Sequence, residues 1–167
     1  LEFGQEPALR LNEDWLPLGL SSSGHVEGEA VFVGYGITAK DYGYDDYAGI
    51  DLKGKIAIML RYEPPPKDTQ SPFRKSPDYS IYAALRTKAN NARDHGAVGM
   101  ILVDLDNRGD THSELMSLRS SLWRSGNSLV AGQIKRQVAE TWFDLNGASL
   151  KDLKAKIDRE ERPASLP

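Results

Sequence analysis

Residues Gly28 to Arg61 read GEAVFVGYGITAKDYGYDDYAGIDLKGKIAIMLR, and they restrict the fold more than any other part of the chain. Two apolar runs, Ala30–Val33 and Ile56–Leu60, bracket a glycine turn and a loop that carries Tyr42, Tyr44 and Tyr47 beside Asp45 and Asp46. Runs this short, bounded by glycine, predict buried strands rather than helices. The second run is apolar almost throughout, the pattern of a strand covered on both faces.

The same reasoning carries along the chain. Strands are expected over Glu29–Tyr35, Lys55–Arg61, Ala97–Val103 and Ser128–Ile134. Pro64, Pro65 and Pro66 stop the second of these and open a polar loop. A helix is expected over Ser80–His95, with Ile81, Leu85, Lys88, Ala89 and Ala92 forming one stripe and the Lys88 stem lying along it. Gly96 comes directly after it, at the position that favours a left-handed cap. Strand, helix, glycine and strand in succession make a βαβ-like unit. The polar stretch Asp104–Asn127 has room for one short helix, Ser113–Ser120. Lys135–Leu145 reads helical with Val138, Trp142 and Leu145 on one face. A last helix, capped at Ser149 and running to about Asp158, turns Leu150, Leu153 and Ile157 inward. The fold class is therefore α/β: a single domain with a mixed, partly barrel-like β-sheet flanked by three or four helices. Residues 1–23 read as a lead-in that contributes an edge strand, 24–158 as the domain, and 159–167 as a linker.

Composition narrows the chemistry. At 167 residues the chain can bury a real core. A net charge of −3 with no long basic run argues against a nucleic-acid partner. No apolar run approaches the roughly 18 residues of a transmembrane span, so no membrane insertion is expected. There is no cysteine, which removes disulfides, thiolate metal sites and cysteine nucleophiles together. The chain begins at Leu1 and reads as a piece of a longer protein.

Each catalytic pattern meets a plainer account. A two-zinc site needs about five His, Asp and Glu ligands gathered in space. The chain has His25, His95 and His112 only, with no HExxH. His112-Ser113-Glu114 reads as a solvated loop, and Glu160-Glu161 as a charged helix end. Gly34-Tyr35-Gly36-Ile37-Thr38-Ala39 fits GxGxxA, but Lys40 to Gly43 have turn chemistry rather than a helix start. A turn requiring positive φ accounts better for both glycines. No GxSxG elbow occurs, and His95 at a helix end suits the dipole there. Asp41, Asp45, Asp46 and Asp51 lie close in sequence without EF-hand spacing for calcium. Tyr42, Tyr44, Asp45, Asp46 and Tyr47 remain as a candidate binding surface, with Trp123 as a second patch. The plainer account favoured here is that the aspartates hold nearby backbone amides while the rings pack over the sheet edge.

Four blocks carry a resemblance: Ser21–Ile37, Tyr44–Arg61, Lys88–Val103 and Ser149–Leu166. In that order they resemble the protease-associated domain of M28-type zinc aminopeptidases. The resemblance implies a compact, non-catalytic α/β module attached to a peptidase core, shaping substrate access or mediating protein contacts. It implies no cofactor in these residues, with zinc held in the catalytic domain. The implied partners are that catalytic peptidase domain of the same chain and a peptide substrate, in an extracellular or periplasmic setting. The alternatives are a free-standing peptide- or carbohydrate-binding module and a structural spacer.

Overall fold

The computed structural model describes residues 8–75, 77–106, 115–116 and 129–166. Seven strands are formed among them: β1 Trp15–Pro17, β2 Ala30–Phe32, β3 Thr38–Ala39, β4 Tyr44–Asp45, β5 Ile56–Leu60, β6 Gly99–Val103 and β7 Val130–Ile134. Three α-helices accompany them: α1 Leu85–Asp94, α2 Arg136–Leu145 and α3 Leu150–Glu160. The main sheet has the order β1-β7-β6-β5-β2. Four of its strands run parallel, and β1 is antiparallel to β7 with Trp15 opposite Ile134. The lead-in thus supplies the expected edge strand. β3 and β4 form a separate two-stranded ribbon.

Alternation along the central strands divides the core in two, because successive side chains leave a strand on opposite faces. Ile58, Leu60, Ile101 and Val103 point to one side, where Trp142, Phe143, Leu150 and Ile157 of α2 and α3 cover them. Ala57, Met59, Met100 and Leu102 point to the other, where Ala89 and Ala92 of α1 lie. All five residues of β6 are buried, which is why its sequence is unbroken in apolar character. Gln133 of β7 is the polar exception. Its side chain accepts from the Met116 amide and donates to the Met116 carbonyl, both at 2.8 Å.

Several boundaries differ from the sequence reading. The helix expected from Ser80 begins at Leu85. Ser80 instead caps a 3₁₀ turn at Ile81–Ala83, accepting from the Tyr82 amide, and Ala84 is extended before the α-helix starts. Ile81 consequently faces solvent at 72 % exposure instead of joining the stripe. In α2 the covered face is Ala139, Trp142 and Phe143, and Leu145 in the last turn is exposed. α3 keeps its Ser149 cap, which accepts from the Asp152 amide, and extends two residues past the expected end. The tail read as a linker is docked: Leu166 and Phe32 of β2 exchange two main-chain hydrogen bonds of 2.9 and 3.0 Å. The helix expected over Ser113–Ser120, Leu115 and Met116 apart, and Trp123 lie outside the described residues.

Candidate functional site

The candidate loop is built around a turn that only glycine fits. β2 ends at Phe32, and the chain reverses through Gly34 (φ 53°) and Gly36 (φ 68°). A Cβ on Gly34 would stand 2.4 Å from Asp46 Oδ1, and one on Gly36 would stand 2.8 Å from Met59 Sδ. Both glycines therefore serve backbone conformation and close approach. The chain then enters β3 and a 3₁₀ turn at Lys40–Tyr42, not an α-helix, so the GxGxxA match lacks the helix N-terminus that would hold a pyrophosphate.

Asp46 sits beneath this turn with no solvent exposure. Its Oδ2 accepts from the amides of Tyr35 at 3.1 Å and Ile37 at 3.0 Å, and its Oδ1 accepts from the Tyr44 hydroxyl at 3.0 Å. The neighbouring Asp45 accepts from the Thr38 hydroxyl at 3.0 Å and the Tyr47 amide at 3.2 Å. Both aspartates thus satisfy local donors, as the plainer account holds. Tyr44 and Tyr47 are buried, and Tyr47 stacks on His95 with ring centroids 4.2 Å apart. Tyr42 is the exposed member of the loop, at 58 %.

Lys88 completes the node from α1. An apolar stripe predicts a buried stem with the ammonium left in water, yet the whole side chain is buried. Its Nζ donates to the Tyr35 carbonyl and lies 5.6 Å from the Tyr35 ring centroid. One turn on, Asn91 Nδ2 donates to the Gly36 carbonyl at 3.3 Å. Burial pulls the Lys88 ammonium below the ordinary lysine range, against the opposing charges of Asp46 and Glu63. Burial likewise pushes Asp46 above the ordinary carboxylate range, opposed by the Ile37 amide, the Lys88 charge, the Tyr44 hydroxyl and the Tyr35 amide. Three donors on one carboxyl favour its ionised form while burial opposes it, and the Lys88 ammonium is held at the carbonyl of the same turn. Desolvation and the Asp46 charge both raise the Tyr44 hydroxyl. Nothing in the sequence marks Lys88 except that a lone lysine occupies an apolar position.

The remaining candidates have structural employment. Glu161 caps α3 in the left-handed region and accepts from the Lys67 amide at 3.2 Å and from the Ser71 hydroxyl. Glu160 pairs with Arg159 at 2.9 Å. Asp41 and Asp51 are exposed, and Asp51 accepts from the Lys53 amide at 3.1 Å. His95 Nδ1 donates to the Asn91 carbonyl at 2.7 Å. Among the described residues no three His, Cys, Asp or Glu side chains come together as a metal site. Trp123 and His112 lie outside those residues.

Residues 26–142 match the family model of the PA domain, a span that runs from before β2 into α2 and holds the whole node. The chain belongs to the PA domain family. Among solved structures, this PA domain is similar in fold to an aminopeptidase from Aneurinibacillus sp. strain AM-1, with a TM-score of 0.51 at 24 % identity. The match covers 81 % of this chain and 25 % of the aminopeptidase, so the PA domain here spans about a quarter of that protein. No curated protein matches the chain. Among the described residues no helix is long and apolar enough to cross a membrane.

Proposed function

We infer that this PA domain is a non-catalytic accessory module of an M28-type metallo-aminopeptidase. In that setting zinc is held by the catalytic domain, and the PA domain shapes substrate access or mediates contacts with the peptidase core and its peptide substrate. The setting inferred for such an enzyme is extracellular or periplasmic. The observation that carries the reading is the use of the acidic loop. The carboxylates nearest to a constellation, Asp45 and Asp46, are spent on backbone amides and hydroxyls of their own turn. Asp46 is fully enclosed and Asp45 holds the Thr38 hydroxyl and the Tyr47 amide, so both groups serve the scaffold of the loop. The fold shared with a quarter of an aminopeptidase supports the choice of parent.

The test is direct. The purified chain is assayed for bound zinc and for hydrolysis of aminoacyl-nitroanilides, and neither stoichiometric metal nor turnover is expected. Zinc at one or two equivalents with measurable turnover defeats the accessory reading. Of the loop residues offered for binding, Tyr42 has surface to give, so Tyr42→Ala in a full-length enzyme is expected to alter preference for peptide length without changing zinc content.

A further inference from the structure

The turn between α2 and α3 holds a reactive dipeptide in a closed form. A helix that stops in the left-handed region favours glycine one residue past its cap, where a Cβ would be strained. Gly147 meets that need at φ 70°. Two main-chain bonds close the turn: the Gly147 amide donates to the Asp144 carbonyl and the Ala148 amide to the Phe143 carbonyl, both at 3.0 Å. Asn146 is the cap residue, at φ −97° and ψ 13°. Its Nδ2 donates to the Trp142 carbonyl at 2.8 Å, serving one of the acceptors that a helix leaves open at its end. Cap and turn together write Asn-Gly, and of the six asparagines in the chain only Asn146 is followed by glycine.

Asn-Gly carries its own chemistry. The Gly147 nitrogen, its proton passed to solvent, attacks Asn146 Cγ. The N–Cγ bond forms, the Cγ–Nδ2 bond breaks, and ammonia leaves with a proton taken back from water. Water then opens the resulting succinimide at either carbonyl, giving aspartate or isoaspartate. No oxidant or reductant enters. A side chain at 147 would shield the nitrogen, whereas here even a Cβ would meet nothing within 4 Å, and both residues are exposed. The closed turn holds the reaction off. At ψ 13° the Gly147 nitrogen is turned away from the Asn146 side chain, while ring closure needs it eclipsed with Cβ. The Gly147 N–H and Asn146 Nδ2 are also both engaged. All these restraints are released together when the last turn of α2 opens.

We propose that Asn146-Gly147 is a self-modification site, a deamidating pair whose rate is set by opening of the last turn of α2 and whose product keeps that turn open. Aspartate at 146 puts a negative charge at the C-terminal end of the helix, two residues from Asp144, and has no donor for the Trp142 carbonyl. Isoaspartate also adds a carbon to the main chain, so the bonds from Gly147 and Ala148 lose their register. α2 and α3 lay Trp142, Phe143, Leu150 and Ile157 over one face of the main sheet, and this turn sets their spacing. The modification is therefore a one-way loosening of that cover as the protein ages. It does not depend on a peptidase parent, because it stands on the chemistry of the turn alone.

Two measurements on the full chain test it. In the first, the chain is aged at neutral pH in native buffer and, in parallel, in enough urea to unfold it. Peptide mapping by mass spectrometry reads conversion at each asparagine. In the folded chain Asn146 is expected to convert at least 10-fold faster than any of the other five asparagines. In urea it is expected to convert at least 10-fold faster again, because the turn no longer restrains it. Gly147→Ala, compared in urea so that folding plays no part, is expected to slow the conversion at least 10-fold. Conversion of another asparagine first, equal rates with and without urea, or a folded chain that keeps Asn146 intact while the unfolded chain is fully converted overturns the proposal. So does an unslowed Gly147→Ala. In the second, Asn146→Asp stands in for the product. Amide exchange at Gly147 and Ala148 is expected to rise at least 5-fold over the wild type, with β5 and β6 unchanged. Unchanged exchange at those two amides overturns the claim that the product holds the turn open.

Discussion

Two irregular regions of this PA domain are each held by one buried carboxylate, and they are held differently. Asp46 secures the glycine turn from nine to eleven residues away, accepting from the Tyr35 and Ile37 amides. Glu63 secures the long loop after β5 from farther off, accepting from the Arg74 amide at 2.9 Å, the Ser80 amide at 2.7 Å and the Ser80 hydroxyl. Asp46 is fully enclosed and has Lys88, equally enclosed, bound to the carbonyl of the same turn. Glu63 retains 6 % exposure beside a loop that is largely solvated. A carboxylate under a short turn needs a charged neighbour from another element, because no water reaches it. A carboxylate at the root of a long loop takes its hydrogen bonds from the loop itself, and the Lys88 charge acts on it only second to Asp46.

Removing the charged neighbour should have the largest effect. Lys88→Met leaves Asp46 without its compensating charge and is expected to cost about 3–5 kcal/mol by urea unfolding. Its pH dependence has a definite sign. Asp46 in the folded protein is raised from 3.8 to about 7 with Lys88 present, and removing that charge takes it higher. A folded-state carboxyl above its unfolded value stabilises fully below the unfolded pKa, and that stability is lost as pH rises. Lys88, lowered from 10.5 to about 7, costs stability to the wild type alone, and increasingly so as pH falls through that window. The gap between the variant and the wild type should therefore widen from pH 5 to pH 8. Adding Asp46→Asn should recover part of the loss. If the two substitutions add independently, the pair is not a unit.

Gly34→Ala comes next, at about 3 kcal/mol for a strained backbone and a close contact together. The substitution asks an alanine to hold φ 53° and drives its Cβ against the carboxyl of Asp46. Equal thermal midpoints for variant and wild type would remove the close-approach argument. Glu63→Ala should cost about 1–3 kcal/mol, since it strands two amides that water reaches in part. Amide exchange should show the loss confined to residues 64–80, and a loss spread through the sheet would erase the contrast between the two regions. Tyr42→Ala, on the exposed face of the acidic loop, should stay within about 0.5 kcal/mol.

The same contrast separates what residues alone reveal from what they hide. The strands are legible because short apolar runs between glycines leave few other places to go. The Asp46 turn is legible because aspartates and glycines within a dozen residues form a local pattern. Ser80 carries no such signal toward Glu63, seventeen residues away, and a serine ahead of an apolar stripe reads as a helix start although it caps a 3₁₀ turn. Lys88 is hidden for a related reason. A lysine on an apolar stripe usually keeps its ammonium in water, and only the folded chain brings the Tyr35 carbonyl over it. Leu166 has no periodicity to betray its place on β2, because a single bridging residue has no period.

The antiparallel edge has a consequence for manufacture. Trp15 pairs with Ile134, so among the described strands β1 leaves the ribosome first and meets its partner last. During that interval β2, β5 and β6 can assemble in the order of their synthesis, each beside the one before it. The opening strand waits, and the sheet is sealed at its first-made edge only when β7 has emerged.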